Sequence, residues 1–256
     1  MLIDTHTHLD HADRPVDAQL AEAAACGVDL IIQSGTDLES SRVAVTLAET
    51  HPGVFATIGV HPHDAAAATA QDVEELRELA AHPKVVGVGE TGLDFYRNRS
   101  PHTIQEQVFL TQIALARDLN LPLVIHTRDA DARSVPLLRE HARGLTVILH
   151  CFSMPERVEE FVEWGWYMSF AGNVTYKKSV ALQEAARRVP AGRLLVETDA
   201  PYLTPEPLRG RPNTSAHVIH TYRFLAGLRD TRVEDLADLV LENAAAAFPR
   251  LDVSAV

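Results

Sequence analysis

The sequence predicts an α/β fold, a distorted (β/α)8 TIM barrel with its active site at the C-terminal ends of the strands. Three observations predict it. About eight short apolar, β-branched runs recur roughly 20–35 residues apart along the 256 residues, the spacing of βα units. Helical patterns fill the intervals. The runs begin apolar and, in six of the eight cases, turn polar near their C-terminal ends, where a parallel barrel builds its active site.

The elements follow in order. LIDTHTHL (2–9) opens the chain, and the helical segment 15–26 closes at Gly27, a C′ position that glycine favours. VDLIIQSG (28–35) and VFATIGVHP (54–62) are the second and third runs, and helix formers occupy 72–81. VVGVGETGLD (85–94) is the fourth. A helix over 100–119 is expected to start with Ser100 as N-cap and Pro101 at N1, with Ile104, Val108, Leu115 and Leu119 at helical spacing. LPLVIHTR (121–128), LTVILHCF (145–152), WYMSFAG (166–172) and LLVETDAP (194–201) complete the eight, and 233–247 forms a further helix. Near-continuous apolar runs suit parallel strands buried on both faces. An open, doubly wound sheet is the alternative architecture. No linker or low-complexity stretch divides the chain, so residues 1–256 are expected to form one domain.

Composition narrows the function. Apolar residues make up 46% and charged residues 23%, a globular balance. No apolar run approaches the ~18 residues of a membrane span, and the start lacks the basic and apolar regions of a signal peptide. Two distant cysteines, Cys26 and Cys151, fit a reducing cytoplasm better than a disulfide scaffold. The net charge of −12 is wrong for a passive nucleic-acid coat, although metal ions can supply local positive charge for phosphate chemistry. Thirteen histidines direct attention to metal ligation.

His6-x-His8 on a strand places both imidazoles on one face. Alone, the pair equally describes an exposed terminus. Asp4 shares that face but lies deeper, as a buried partner, whereas Asp10 belongs to the loop beyond. His126 and His150 each follow an apolar run at the same depth on successive strands, and Asp199 tips the last strand before turning at Pro201. Gly87-x-Gly89-x-x-Gly92 imitates a dinucleotide motif. However, no helix follows directly, and Glu90 inside the loop would repel a pyrophosphate. The glycines instead allow close backbone passage beneath a site that Glu90 serves. His61 and His63 are expected to face substrate or to support the ligands. Cys151, on the face opposite His150, is expected to pack toward the helices.

The candidate ligands are therefore His6, His8, Glu90, His126, His150 and Asp199. Six are too many for one catalytic zinc with an open position and suit two divalent cations, with Mg2+, Mn2+ and Zn2+ all eligible. Many barrel hydrolases bridge two ions with a carboxylated lysine. The three lysines here, Lys84, Lys177 and Lys178, are poorly placed for that, and Glu90 stands where a bridge is wanted.

In this order, IDTHTHLD, GVHPHD, GETGLDFY, LPLVIHTRDA, LHCFS, FAGNVTYKKS and ETDAPYLTP make the chain similar to the TatD family of metal-dependent deoxyribonucleases, nearly end to end. The family's ligands fall on the same six residues. The resemblance implies hydrolysis of DNA, as a 3′-to-5′ exonuclease on single-stranded or frayed ends. Asp199 and Glu90 would be catalytic, Asp199 orienting or deprotonating the attacking water. His63, Asp94, Arg128 and Tyr202 would bind substrate, with Arg97, Arg99, Lys177, Lys178, Arg209 and Arg211 near phosphates and Phe95 and Tyr96 near bases. RPNTS at 211–215 departs from the RNEP of many relatives, in a loop expected at the rim. A hydrolase of a small ester, amide or lactone on the same barrel is the competing reading. The oligomeric state is left open, a monomer included.

Overall fold

The computed structural model describes residues 1–254. Its strands are β1 (Leu2–Thr7), β2 (Val28–Ser34), β3 (Val54–Ile58), β4 (Val85–Asp94), β5 (Leu123–Arg128), β6 (Val147–Leu149), β7 (Tyr167–Phe170) and β8 (Leu194–Val196). Between them run α1 (Val16–Ala25), α2 (Leu38–Thr50), α3 (Ala70–Leu79), α4 (His102–Leu119), α5 (Asp131–His141), α6 (Val158–Glu163) and α7 (Val180–Arg188); α8 (Val218–Leu228) and α9 (Val233–Ala247) follow β8. The strands form one sheet in chain order, β1 to β8, each followed by a helix. That is the (β/α)8 topology, and a doubly wound sheet, which requires a reversal of strand order, does not describe it.

The runs read from the sequence match strands in position but not always in length. β4 fills its run completely, whereas β6 and β8 are three residues long. His8, His61, His63, His150 and Asp199 consequently lie just beyond their strands. The helix at 100–119 begins one residue later than expected, with Pro101 at the N-cap. The Ser100 hydroxyl is engaged elsewhere: it donates to the His63 carbonyl and accepts from the Ala66 amide, at 2.9 and 3.0 Å. It therefore braces the loop after β3 instead of capping the helix.

The chain divides into two compact units. The first comprises residues 1–33, 150–246 and 252–254, and holds β1, nearly all of β2, β7 and β8. β1 pairs with β2 and β7 with β8, both parallel. The backbone of β1 also meets the segment after β8: His8 N–H donates to the Ala200 carbonyl and Asp199 N–H to that of His6. Its core includes Ile3, Leu30, Phe152, Phe161 and Phe170, all fully buried. Tyr222 is buried with them and donates its hydroxyl to the Ile3 carbonyl at 2.9 Å, as a buried phenol must.

The second unit, residues 34–149 and 247–251, holds β3 to β6 around Phe55, Ile58, Val88, Phe109 and Phe248. Two buried glutamines on α4 brace its strand ends. Gln112 bonds both the amide and carbonyl of Val60 and the Thr91 hydroxyl. Gln105 does the same for the amide and carbonyl of Asp94. Around Glu90 the glycines have a steric cause. Gly89 and Gly92 sit at φ +147° and +144°, and a Cβ would strike the Val124 carbonyl at the first and the His126 carbonyl at the second. Only glycine tolerates both demands, so β4 lies close against β5 where Glu90 and His126 emerge.

Candidate metal centre

In the first unit, His6 lies in β1 and His8 one residue past it. Their Nε2 atoms stand 3.3 Å apart, and Asp199 Oδ1 lies 3.5 Å from His8 Nε2. Two ligands held about 2.0–2.1 Å from one tetrahedral ion stand about 3.3 Å from each other, so the pair has the spacing of donors that share a cation. The His150 ring stacks on His6 with centroids 3.6 Å apart. Its Nδ1 stands 2.8 Å from Glu197 Oε1, while Nε2 is 3.9 Å from Asp199 Oδ1. A buried carboxylate thus stands behind the His150 ring.

Asp199 takes a left-handed backbone, φ +54°, a conformation uncommon for non-glycine residues that local contacts can favour. Those contacts are visible. Asp199 N–H donates to His6, and Tyr202 N–H donates back to the Asp199 carbonyl at 2.8 Å. Asp4, wholly buried, accepts from the Thr198 amide and hydroxyl at 2.8 and 2.6 Å, fixing the residue before Asp199. Burial pushes the Asp4 carboxyl up to about 7, against the hydrogen bonds that lower it. Burial also raises Asp199, but the His8 hydrogen bond and the charges of His150, His8 and His6 outweigh it and hold Asp199 below the usual carboxylate range. Its side chain is 14% exposed. It is thus an ionised carboxylate that solvent can reach.

In the second unit, Glu90 lies within β4 and is buried. Its Oε1 is 2.8 Å from His126 Nδ1 and 3.5 Å from His61 Nε2. Again three donors converge. Behind them sits Asp94, whose Oδ2 meets His63 Nε2 at 2.9 Å and His126 Nε2 at 3.3 Å, while Oδ1 accepts the amides of Tyr96 and Arg97. Burial raises the Asp94 carboxyl, but these bonds together hold it well below its ordinary value. The sign of the linkage follows. A depressed pKa stabilises the fold above the ordinary 3.8, and that contribution is lost as pH falls through the folded value. Metal-stripped Asp94→Asn is therefore expected to be less stable than the parent at pH 7, with the difference shrinking below pH ~4. Urea melts across that range measure it, and a pH-independent difference would refute it.

Both donor sets fit a divalent cation: imidazole nitrogens and carboxylate oxygens, buried and backed by further acids, are the ordinary chemistry of such sites. Of the residues expected to bind substrate, Arg128 and Tyr202 are exposed and His63 is partly so. Asp94 is buried and faces the histidines. His61, which the sequence reading placed near substrate or behind the ligands, stands among the donors. Glu197 lies one residue past β8, and its place behind His150 shows only in the folded chain. Gln105 and Gln112 gave a signal of their own, polar residues on the inward stripe of a helix. Cys151 corrects the alternation argument. β6 ends at Leu149, so Cys151 is not on a strand; it takes φ +44°, and its amide donates to Glu197 at 2.6 Å. The RPNTS segment is only half rim. Arg211 and Pro212 are exposed, but Asn213 is buried and donates to the Thr198 and Tyr202 carbonyls at 3.1 and 2.5 Å.

Residues 3–249 match the family model described as TatD related DNase. The chain is 39% identical over 252 residues to the uncharacterized metal-dependent hydrolase YabD of Bacillus subtilis, covering 97% of this chain and 99% of that one. It is 38% identical over 240 residues to the 3′-5′ ssDNA/RNA exonuclease TatD of Musicola paradisiaca, covering 91% of each. Among solved structures, the TatD homolog YJJV of Escherichia coli superposes with a TM-score of 0.90 at 29% identity, covering 97% and 98%.

Proposed function

The chain belongs to the family of TatD-related deoxyribonucleases, and on that premise we propose that it is a divalent-metal-dependent phosphodiesterase that shortens single-stranded or frayed DNA from its 3′ end. The observation that carries the reading is the His6–His8–Asp199 set, with nitrogens 3.3 Å apart beside an ionised, solvent-reachable carboxylate. Relatives named exonucleases of single-stranded DNA and RNA support an unpaired strand as substrate.

The proposal assigns His6, His8, His150 and Asp199 of the first unit, and Glu90 and His126 of the second, to the binding of two cations, Mg2+, Mn2+ or Zn2+, because each set offers imidazole nitrogens and a carboxylate. Four neutral imidazoles and two carboxylates against two divalent ions leave about two positive charges, which suits an anionic diester. Such ions supply charge for the phosphoryl oxygens and acidify the attacking water. The chain's own groups do the rest. Asp199 takes the water's proton, since its side chain is reachable from solvent while Glu90 is buried among histidines. Glu197 orients His150, and Asp94 orients His126. Arg128, with its guanidinium 4.0 Å from the Tyr96 ring centroid, is exposed for phosphate contact, and the partly exposed His63 is a further polar contact.

The small-ester reading has less support. Lys84 Nζ is held by the carbonyls of Ala48, His51 and Pro52 at 2.8–2.9 Å and is not available as a bridging carbamate. No helix among the described residues is long and apolar enough to cross a membrane. Its test is the cleavage of end-labelled strands by metal-stripped and metal-restored protein, with a neutral ester as the competing substrate.

A further inference from the structure

Beside the His6–His8–Asp199 set stands an aromatic corner that metal binding leaves unused. His11 follows β1 in a single 3-10 turn, Leu9–His11, and its ring stacks on His8 with centroids 4.7 Å apart and planes 9° from parallel. Tyr202 stands across from both rings, 6.5 Å from His11 at 73° and 6.3 Å from His8 at 68°. His11 and Tyr202 are exposed, Tyr202 to 52%.

Both rings are carried on backbone that buried groups hold in place. Gln33, fully buried, accepts from the Leu9 amide and donates to Asp10 Oδ1, each at 2.7 Å. Gln19, also buried, donates to the carbonyls of Leu9 and Arg14. On the other side, Asn213 holds the Tyr202 carbonyl and Tyr202 N–H holds that of Asp199. The two turns are thus fixed while their rings face outward, which lowers the ordering cost of binding a flat ligand.

We propose that His11 and Tyr202 form a stacking subsite for the unpaired nucleobase that flanks the scissile phosphate. Two aromatic faces set nearly at right angles accept a planar heterocycle, stacked on one and edge-on to the other. Every base has a face that stacks on an aromatic ring, so the corner selects an unstacked end without selecting sequence. A duplex end, whose bases are already stacked and paired, meets it only after fraying. The neighbouring loops carry the strand's phosphates. Tyr176 O–H donates to the Thr204 carbonyl at 3.1 Å and Glu206 N–H to Thr175 Oγ1 at 2.8 Å, knitting 172–178 to 203–211. Arg209 lies 4.2 Å from the Tyr176 ring centroid, with Lys177, Lys178 and Arg211 exposed on the same pair of loops. This subsite rests on the nuclease reading above.

The test compares single strands that end in a normal nucleotide or in an abasic one, using the parent, Tyr202→Ala, Tyr202→Trp, His11→Ala and His11→Phe. The subsite predicts that Tyr202→Ala and His11→Ala raise KM for the normal end by about 5- to 100-fold. For the abasic end they change it little, and Tyr202→Trp and His11→Phe restore the parent value. Zinc stoichiometry of each variant guards against indirect damage at His8. In Asp199→Asn, which binds without cutting, a 2-aminopurine at the terminal or penultimate position is quenched on binding, and one eight nucleotides inward is not. A parent that cuts both ends with the same KM, or variants with unchanged KM, overturns the subsite and leaves the nuclease reading intact. A parent that cuts no strand with any metal overturns both.

Discussion

Asp199→Asn is expected to lower kcat for single-strand cleavage by about 10²–10⁴-fold, the contribution of a positioned proton acceptor, with the fold intact. The amide keeps the size and one carbonyl oxygen but cannot take a proton at neutral pH. Asp199 is singled out over the other acids by position. Glu197 and Asp94 face the backs of histidine rings, Asp4 is occupied by Thr198, and Glu90 is buried between His126 and His61. Asp199 combines a carboxyl held below its ordinary value with a side chain that solvent reaches. Single-turnover cleavage of a labelled strand measures the loss. A kcat within about threefold of the parent, with circular dichroism unchanged, would remove Asp199 from the reaction.

Deletion of residues 1–10 is expected to abolish folding of the chain rather than trim a tail. Every residue of β1 is buried. The deletion removes Ile3 and Leu9, each contributing roughly 1.5–3 kcal/mol when fully buried. It also leaves the Tyr222 hydroxyl, the Thr198 amide and hydroxyl, and the Asp199 amide without the partners they now have. Each unsatisfied buried group costs about a further 1–3 kcal/mol. Together these losses match or exceed the roughly 5–15 kcal/mol that holds an ordinary domain folded. The readout is soluble yield and a cooperative thermal transition. A truncated chain that melts cooperatively within a few degrees of the parent would contradict the role given to β1.

Much of this was legible because the barrel writes its plan in two regularities. Apolar runs alternate with helical segments, and chemistry collects at one end of each run. His6, Glu90 and His126 are inside strands and could be placed by alternation. His150 and Asp199 could be placed only as far as the run, since three-residue strands hand over to turns whose left-handed residues no periodicity encodes. Cys151 was misread for that reason. Ser100 was misread because a serine before proline looks like a cap, whereas its hydroxyl had a tertiary use at His63 and Ala66. The partners behind the ligands were hardest to see. Glu197 against His150, Asp94 against His126 and Asn213 against Tyr202 join residues 11 to 47 positions apart, and only the folded chain pairs them. The RPNTS segment illustrates this: its departure from relatives reads as rim variation, yet its asparagine braces the turn that carries Asp199.

The most direct test strips the protein with a chelator and follows a 5′-labelled single strand as Mg2+, Mn2+ or Zn2+ is restored. The account predicts no cleavage by the stripped protein, a stepwise ladder shortening from the 3′ end once a divalent ion returns, and no such ladder from Asp199→Asn. Cleavage that persists without divalent ions, or a fully metal-loaded parent that leaves every strand intact while turning over a neutral ester, would contradict it.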